Sequence, residues 1–274
     1  MRHARSFVAP DARAVDVESG SVTTLRLLTF NTLFTGDVRP RLRALGEILD
    51  RSGYDIVCLQ EVMYRRNARL LRRAAPGLRH HAYAGAVLLK GGLVLLSRWP
   101  IVRCGFVAYP IMAPLRPELI MRKGAQVATI ATPGGELAVV NTHLSANRDD
   151  DWSPDNRYTR VQRAELGLLA RLVATVDAGL PVVAVGDLNI PRGSAALTDF
   201  LGAAGLRDVR AGDARPTYRP TPEWPSPPAL DHVLVRGARG RSRLVLEDAV
   251  TLADGRQAYL SDHYGVETEI VRDR

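Results

Sequence analysis

The chain reads as an α/β protein, a single domain of mixed β-sheets with covering helices. Three observations predict it. Short β-branched apolar runs recur, the clearest being Pro181-Val-Val-Ala-Val-Gly186, and such runs suit strands buried on both faces. Several of them are separated by segments whose apolar residues fall at helical spacing. The 274 residues, 46% hydrophobic and 24% charged, can build one substantial core, and neither an internal repeat nor a linker-like stretch divides them.

Taken in order, residues 1–20 mix Arg, Asp and Ser without an apolar core, which suits an N-terminal tail better than an export signal and leaves 21–274 as the domain. Val22 to Phe30 reads as a strand ending at Asn31. Arg39 to Ser52 follows as a helix, with Leu42, Leu45, Ile48 and Leu49 on one stripe, Pro40 near its start and Gly53 at its end. Tyr54 to Leu59 is a strand leading to Gln60-Glu61. Asn67 to Ala75 is a helix stopped by Pro76-Gly77. Val87–Leu89, Leu93–Leu96, Ile101–Tyr109 and Gln126–Ile130 are expected as consecutive antiparallel strands, with Lys90-Gly-Gly92 as a hairpin turn. Glu136 to Val140 is a strand ending in Asn141-Thr-His143. A polar loop, Ser145 to Asn156, then precedes a helix striped by Val161, Leu168, Leu169, Leu172 and Val176. The Pro181 strand delivers Asp187 and Asn189, and a short helix covers about 194–203. Pro216 to Pro228 is irregular and carries Tyr218 and Trp224. Asp231–Val235, Arg243–Leu252 and Tyr264–Val271 complete the strands.

Composition excludes some classes. No apolar run reaches 18 residues, so a membrane span is not expected. Two cysteines make no disulfide framework, and Cys58 sits in an apolar run as a small packing residue. A reducing cytoplasm and a monomer are the simplest expectations. The net charge of +8 favours polyanionic partners, yet only Lys90 and Lys123 are lysines among 37 basic residues. That Arg skew fits genome composition, and no basic tract with interleaved aromatics appears, so nucleic acid is disfavoured as a partner.

Six polar positions follow or open strands: Asn31, Glu61, His143, Asp187 with Asn189, Asp231, and Asp262-His263. In open α/β sheets ligands collect at the carboxyl ends of strands. The chemistry these residues can share is metal-assisted hydrolysis of a phosphate ester. Mg²⁺ takes hard oxygens and needs one or two carboxylates beside substrate phosphate, which Glu61 with Asn31 supplies. His143, His263 and Asn189 are donors for the charge that builds on phosphoryl oxygens. Asp187 is the best-placed base for water, and Asp231 suits the task of fixing the His263 tautomer. Asn31 and Asp231 also admit purely structural roles, His232 reads as packing, and His80 and His81 read as loop or strand-edge residues.

With these residues in hand, the chain resembles the endonuclease/exonuclease/phosphatase superfamily. The matching pieces are Thr29-Phe-Asn31, Leu59-Gln-Glu61, Asn141-Thr-His143, Gly186-Asp-Leu-Asn189, Leu230-Asp231 and Ser261-Asp-His263, in that order. The resemblance implies two packed mixed β-sheets flanked by helices in a four-layer α/β/β/α sandwich, a divalent metal (Mg²⁺, with Mn²⁺ as a substitute) and phosphoester hydrolysis. It implies Glu61, Asn31 and Asp262 at the metal, Asp187 and Asn189 positioning water and phosphate, His143 and His263 on the scissile phosphate, and Asp231 behind His263. Either Asp187 or the Asp231–His263 pair would activate water.

The stretches Gly91–Ile101, Arg122-Lys-Gly124 and Arg160-Val-Gln162 resemble the neutral sphingomyelinase-like branch, which implies a small-molecule or lipid phosphate ester as substrate. Arg122, Lys123, Arg157 and Arg160 are candidate clamps for a terminal phosphate. Asp149-Asp-Asp151-Trp152 would repel a nucleic-acid backbone and suits a cationic headgroup, with Trp152 as a cation–π face. Tyr218 and Trp224 are the only hints of a membrane-docking surface. The alternatives are a nuclease of the same superfamily and a non-catalytic binding protein on the same fold.

Overall fold

The computed structural model describes residues 23–110 and 121–273, so the expected tail at 1–20 lies outside the described residues. The long apolar runs become two six-stranded sheets packed face to face. The first runs β11 (Ala238–Val245), β14 (Gly265–Arg272), β1 (Thr24–Asn31), β2 (Ile56–Gln60), β4 (Val94–Ser97) and β3 (His80–Ala82). The second runs β5 (Ile101–Ala108), β6 (Gly124–Thr132), β7 (Gly135–His143), β8 (Val182–Asp187), β10 (Asp231–Arg236) and β9 (Arg207–Asp208). A two-stranded ribbon joins β12 (Val250–Thr251) to β13 (Gln257–Ala258).

Strand alternation sends neighbouring residues to opposite faces, and here both faces are covered. Leu27, Ile56, Cys58 and Leu95 meet Val139, Val183, Val185 and Val233 between the sheets. Leu28, Phe30, Val57 and Leu59 point outward onto α1 (Val38–Ser52) and α2 (Arg65–Ala74), which contribute Leu42, Leu45, Leu49 and Leu71. On the far side Val140, Val182 and Ala184 carry α3 (Arg157–Ala174) and α4 (Ala195–Ala204) through Leu166, Leu169, Leu197 and Phe200. The result is the four-layer α/β/β/α sandwich. Cys58 packs in the inter-sheet core as expected.

Two parallel pairs aim the site. β1 runs parallel to β2 and β7 parallel to β8, so Asn31, Gln60, His143 and Asp187 all emerge from carboxyl ends. Beneath them the sheets are tied by polar groups, since the Gln60 amide donates to Asn141 Oδ1 at 2.8 Å. The β7–β8 approach requires Gly186. It has φ +138°, and a Cβ there would stand 1.9 Å from the Thr142 carbonyl oxygen. Gly186→Ala should therefore cost roughly 3 kcal/mol or more, from backbone strain and overpacking together. Urea unfolding measures it, and an unchanged midpoint would remove the argument.

The strands and turns depart from expectation in four places. Val87–Leu89 forms no strand, because Gly85 takes φ +109° and the Lys90 N–H closes back on the Ala84 carbonyl at 2.8 Å; Leu88 keeps a single bridge to Tyr64. His80–Ala82 supplies the edge strand instead. Lys90-Gly-Gly92 is a 3-10 turn, and Gly92 (φ +62°) lies so close that a Cβ would be 3.0 Å from Glu61 Cα. The consecutive antiparallel series is also split, with β4 in the first sheet and β5 in the second, so 98–100 crosses between layers. Finally, the strand expected over Arg243–Leu252 runs from Ala238 to Val245 and stops where Leu246 turns to φ +60°.

Candidate active site

Asp187 is the centre of the constellation. Register alone places three functional residues side by side, since His143 on β7 and Asp231 on β10 both pair directly with Asp187 on β8. Asp187 is buried and accepts from Asn31 Nδ2 at 3.0 Å through Oδ2 and from the Asn189 N–H at 2.9 Å through Oδ1. His143 Nε2 and His263 Nε2 lie 3.4 Å and 3.6 Å from the same Oδ2. His263 Nδ1–H donates to Asp231 Oδ2 at 2.8 Å, fixing the ring.

Burial alone would raise the Asp187 carboxyl. His263, His143 and Lys123 outweigh it and hold the group well below the usual carboxylate range. Burial likewise disfavours the His263 cation, but Asp231 and Asp187 reverse this and the imidazole is pushed up to about 10. The signs fix the pH window. The lowered Asp187 contributes stability above its ordinary pKa that is lost as pH falls, and the raised His263 contributes stability that is lost as pH rises through about 10.

Around this centre two non-glycine residues, Asn189 and Glu61, take positive φ. Asn189 takes φ +51°, a conformation Asn tolerates, and its amide Nδ2 donates to the Leu144 carbonyl at 3.0 Å. Trp152 Nε1 and Gln162 Nε2 both donate to the Asn189 carbonyl. Glu61 leaves β2 at φ +64°, part-exposed, and its Oε2 accepts from the Phe34 N–H at 2.9 Å. Asp262 accepts from the Ser261 and Tyr218 hydroxyls, both at 3.1 Å. Burial, then the charges of Asp262, Glu61 and Asp187, push the Tyr218 phenol up.

The remaining candidates have these settings. Lys123 is no open phosphate clamp, because its ammonium is buried and donates to His143 Nε2 at 2.9 Å and to the Leu144 carbonyl at 2.7 Å. Arg122, Arg157 and Arg160 are exposed and take no part in the hydrogen bonds of the cluster; Arg157 instead lies over the Tyr158 ring. The acidic loop is committed to its own turn, with Asp149 and Asp151 accepting from Asn156 Nδ2 and Asp151 also from the Ser153 N–H. Tyr218 and Trp224 belong to the site wall, for Tyr218 lies edge-on to His263 at 5.0 Å and Trp224 is 5.0 Å from Tyr218. His232 is structural, buried against the Ile190 carbonyl at 2.9 Å.

Sequence reasoning missed Arg41. Its buried guanidinium donates to the Thr32, Leu33, Thr35 and Leu260 carbonyls and so ties the loop after Asn31 to the one before Ser261. An arginine interrupting the buried side of an amphipathic helix was the available signal.

The donor set fits a hard divalent cation. Asp187, Asp231 and His263 offer donor atoms within 4.8 Å of one another, and Asp231 Oδ1 is buried with no hydrogen-bond partner. Within that trio His263 is hydrogen-bonded to Asp231 and lies 3.6 Å from Asp187, whereas Glu61 is a part-exposed carboxylate that follows Gln60, the residue paired with Asn31 across β1 and β2.

Comparison with known proteins agrees with this architecture. The Schizosaccharomyces pombe protein named inositol phosphosphingolipids phospholipase C is 30% identical over 179 residues, covering 61% of this chain and 41% of its own. The putative neutral sphingomyelinase of Drosophila melanogaster is 27% identical over 174 residues, covering 60% and 39%. The chain thus spans less than half the length of these curated relatives. Sphingomyelinase C from Streptomyces griseocarneus superposes with a TM-score of 0.71 at 22% identity, covering 90% of this chain and 99% of that one. TDP2 of D. rerio, complexed with single-strand DNA product, superposes at 0.70 and 17% identity, covering 90% and 99%. These two share the fold. The model of the endonuclease/exonuclease/phosphatase family matches residues 28–263, most of the chain, and the protein belongs to that family.

Proposed function

We propose that the protein is a metal-dependent phosphoester hydrolase that turns water on a small-molecule or lipid phosphate diester. The observation that carries the reading is the row His143–Asp187–Asp231 across three adjacent strands, with His263 bridging Asp187 and Asp231. Glu61, with Asn31 and Asp262, would hold Mg²⁺ or its substitute Mn²⁺, which supplies positive charge against the phosphate oxygens and acidifies water. Asp187 keeps Asn31, His143 and His263 aimed at one point. A carboxylate held that low orients water by hydrogen bonding more than it takes up a proton, which suits a loose phosphoryl transition state. His263, charged and backed by Asp231, donates to the phosphoryl or departing oxygen. His143 acts beside it, and Lys123 holds its ring while adding positive charge.

A second reading, a nuclease, is favoured by the +8 charge and by the likeness to TDP2, whose structure contains a DNA product. One panel separates the two. EDTA-treated protein is assayed with and without Mg²⁺ or Mn²⁺ on bis-p-nitrophenyl phosphate, p-nitrophenyl phosphate, sphingomyelin, a sugar phosphate and plasmid DNA. Metal-dependent hydrolysis of the diester and the lipid, with little on DNA, is expected. Hydrolysis of DNA alone selects the nuclease, and inertness toward every substrate with both metals ends the enzyme reading.

A further inference from the structure

The face beside Glu61 carries apolar side chains that the fold leaves in water. Val87 is 73% exposed, Phe34 43%, Leu88 40% and Tyr64 39%. They form one neighbourhood. Leu88 bridges Tyr64, the Val87 carbonyl accepts from the Arg65 N–H at 2.9 Å, and the Phe34 N–H is bonded to Glu61, three residues before Tyr64. Solvent-facing aliphatic residues at the tip of a loop, next to the mouth of a site, mark an interaction surface. The adjoining helix α2 begins at Arg65 and exposes Arg65, Arg66, Arg69, Arg72 and Arg73 while burying Ala68 and Leu71. From Val62 to Arg116 the sequence contains no Asp or Glu.

Apolar residues beside an all-basic helix face match the chemistry of an anionic lipid surface, with side chains for the acyl boundary and guanidiniums for the headgroups. A nucleic acid would use the arginines and leave Val87 and Leu88 wet. We infer that the protein docks on anionic membranes through Val87, Leu88 and Tyr64 together with the α2 arginines, bringing Glu61 to the lipid phosphate. The inference deepens the phosphoester reading and rests on it for the catalytic consequence, while docking is measured without turnover.

The test is co-sedimentation of the full chain with vesicles of phosphatidylcholine alone or with phosphatidylserine, and with plasmid DNA as competitor. Val87→Asp/Leu88→Asp should lower partition onto the anionic vesicles by about a hundredfold, roughly tenfold for each apolar side chain withheld from the interface. Val87→Ser/Leu88→Ser should lower it less. Arg66→Gln/Arg69→Gln/Arg73→Gln should weaken it and flatten its salt dependence. Hydrolysis of soluble bis-p-nitrophenyl phosphate should stay at the parental rate in all three. Vesicle binding that is absent, or unchanged by the loop variants, overturns the docking surface even if soluble turnover persists. DNA binding lost with the arginines but indifferent to Val87 and Leu88 overturns it in favour of a nucleic-acid face. Loss of turnover on soluble diester by the parent protein would count against the enzyme reading alone.

Discussion

Asp187→Asn should lower metal-dependent diester turnover by about 10²–10⁴-fold, the range expected when an orienting or proton-handling group is removed from a preorganised site. The substitution keeps the shape and inverts the hydrogen bonding. Asp187 now accepts from Asn31 Nδ2 and from the Asn189 N–H, with two imidazoles within 3.6 Å. An amide can accept through one oxygen only, so its NH₂ must face one of these donors. The charge effect reads out separately. His263 loses one of the three anions that raise it, Asp231, Asp187 and Asp262, so in EDTA-treated protein its imidazole, followed by NMR, should titrate lower than in the parent. Parental turnover in a folded Asp187→Asn protein would show that the row His143–Asp187–Asp231 is not the reacting centre.

How much of this was legible follows from where each signal resides. The four layers were readable because β1, β2, β7 and β8 are buried over most of their length and each carries a short apolar run, clearest in β2 and β8. The edge strand β11 was misjudged for the opposite reason. Its Arg-Gly-Arg-Ser-Arg alternation has one face in water and carries little apolar signal. The site's carboxylates and imidazoles were visible as residues after strands, since chemistry at strand ends is a local property. Their supports were not. Gln60 and Asn141 sit inside two of the recognised tripeptides, yet their task, a bond between sheets, joins positions 81 apart in the chain. Lys123 shows the same limit. Its charge made it a candidate phosphate clamp, whereas the β6–β7 pairing folds its ammonium onto His143. The docking face escaped because apolar residues in a loop look like core until the backbone is seen to close without them.

Glu61→Gln should weaken Mg²⁺ binding by about a hundredfold or more, since even outer-shell partners of a bound metal contribute 10–100-fold. Calorimetric titration with MgCl₂ measures it, and turnover at modest Mg²⁺ should fall in parallel. The fold should survive. Gln keeps an oxygen to accept the Phe34 N–H, and the φ of +64° is enforced by Gly92 packed against the Glu61 backbone rather than by the carboxylate. What is lost is one negative charge at a part-exposed position, where among the described residues no cation is bonded to it in the way Lys123 and the imidazoles surround Asp187. That contrast separates the two carboxylates by role. Asp187 is already neutralised by its protein neighbours and gains little from a metal, while Glu61 is the acid left for one. Asp262→Asn should therefore weaken Mg²⁺ less, because its oxygens already take the Ser261 and Tyr218 hydroxyls. If Asp262→Asn proved the more damaging to Mg²⁺ affinity, the cation would belong on the His263 side of the cleft, and Glu61 would be left as the anchor of the Phe34 loop.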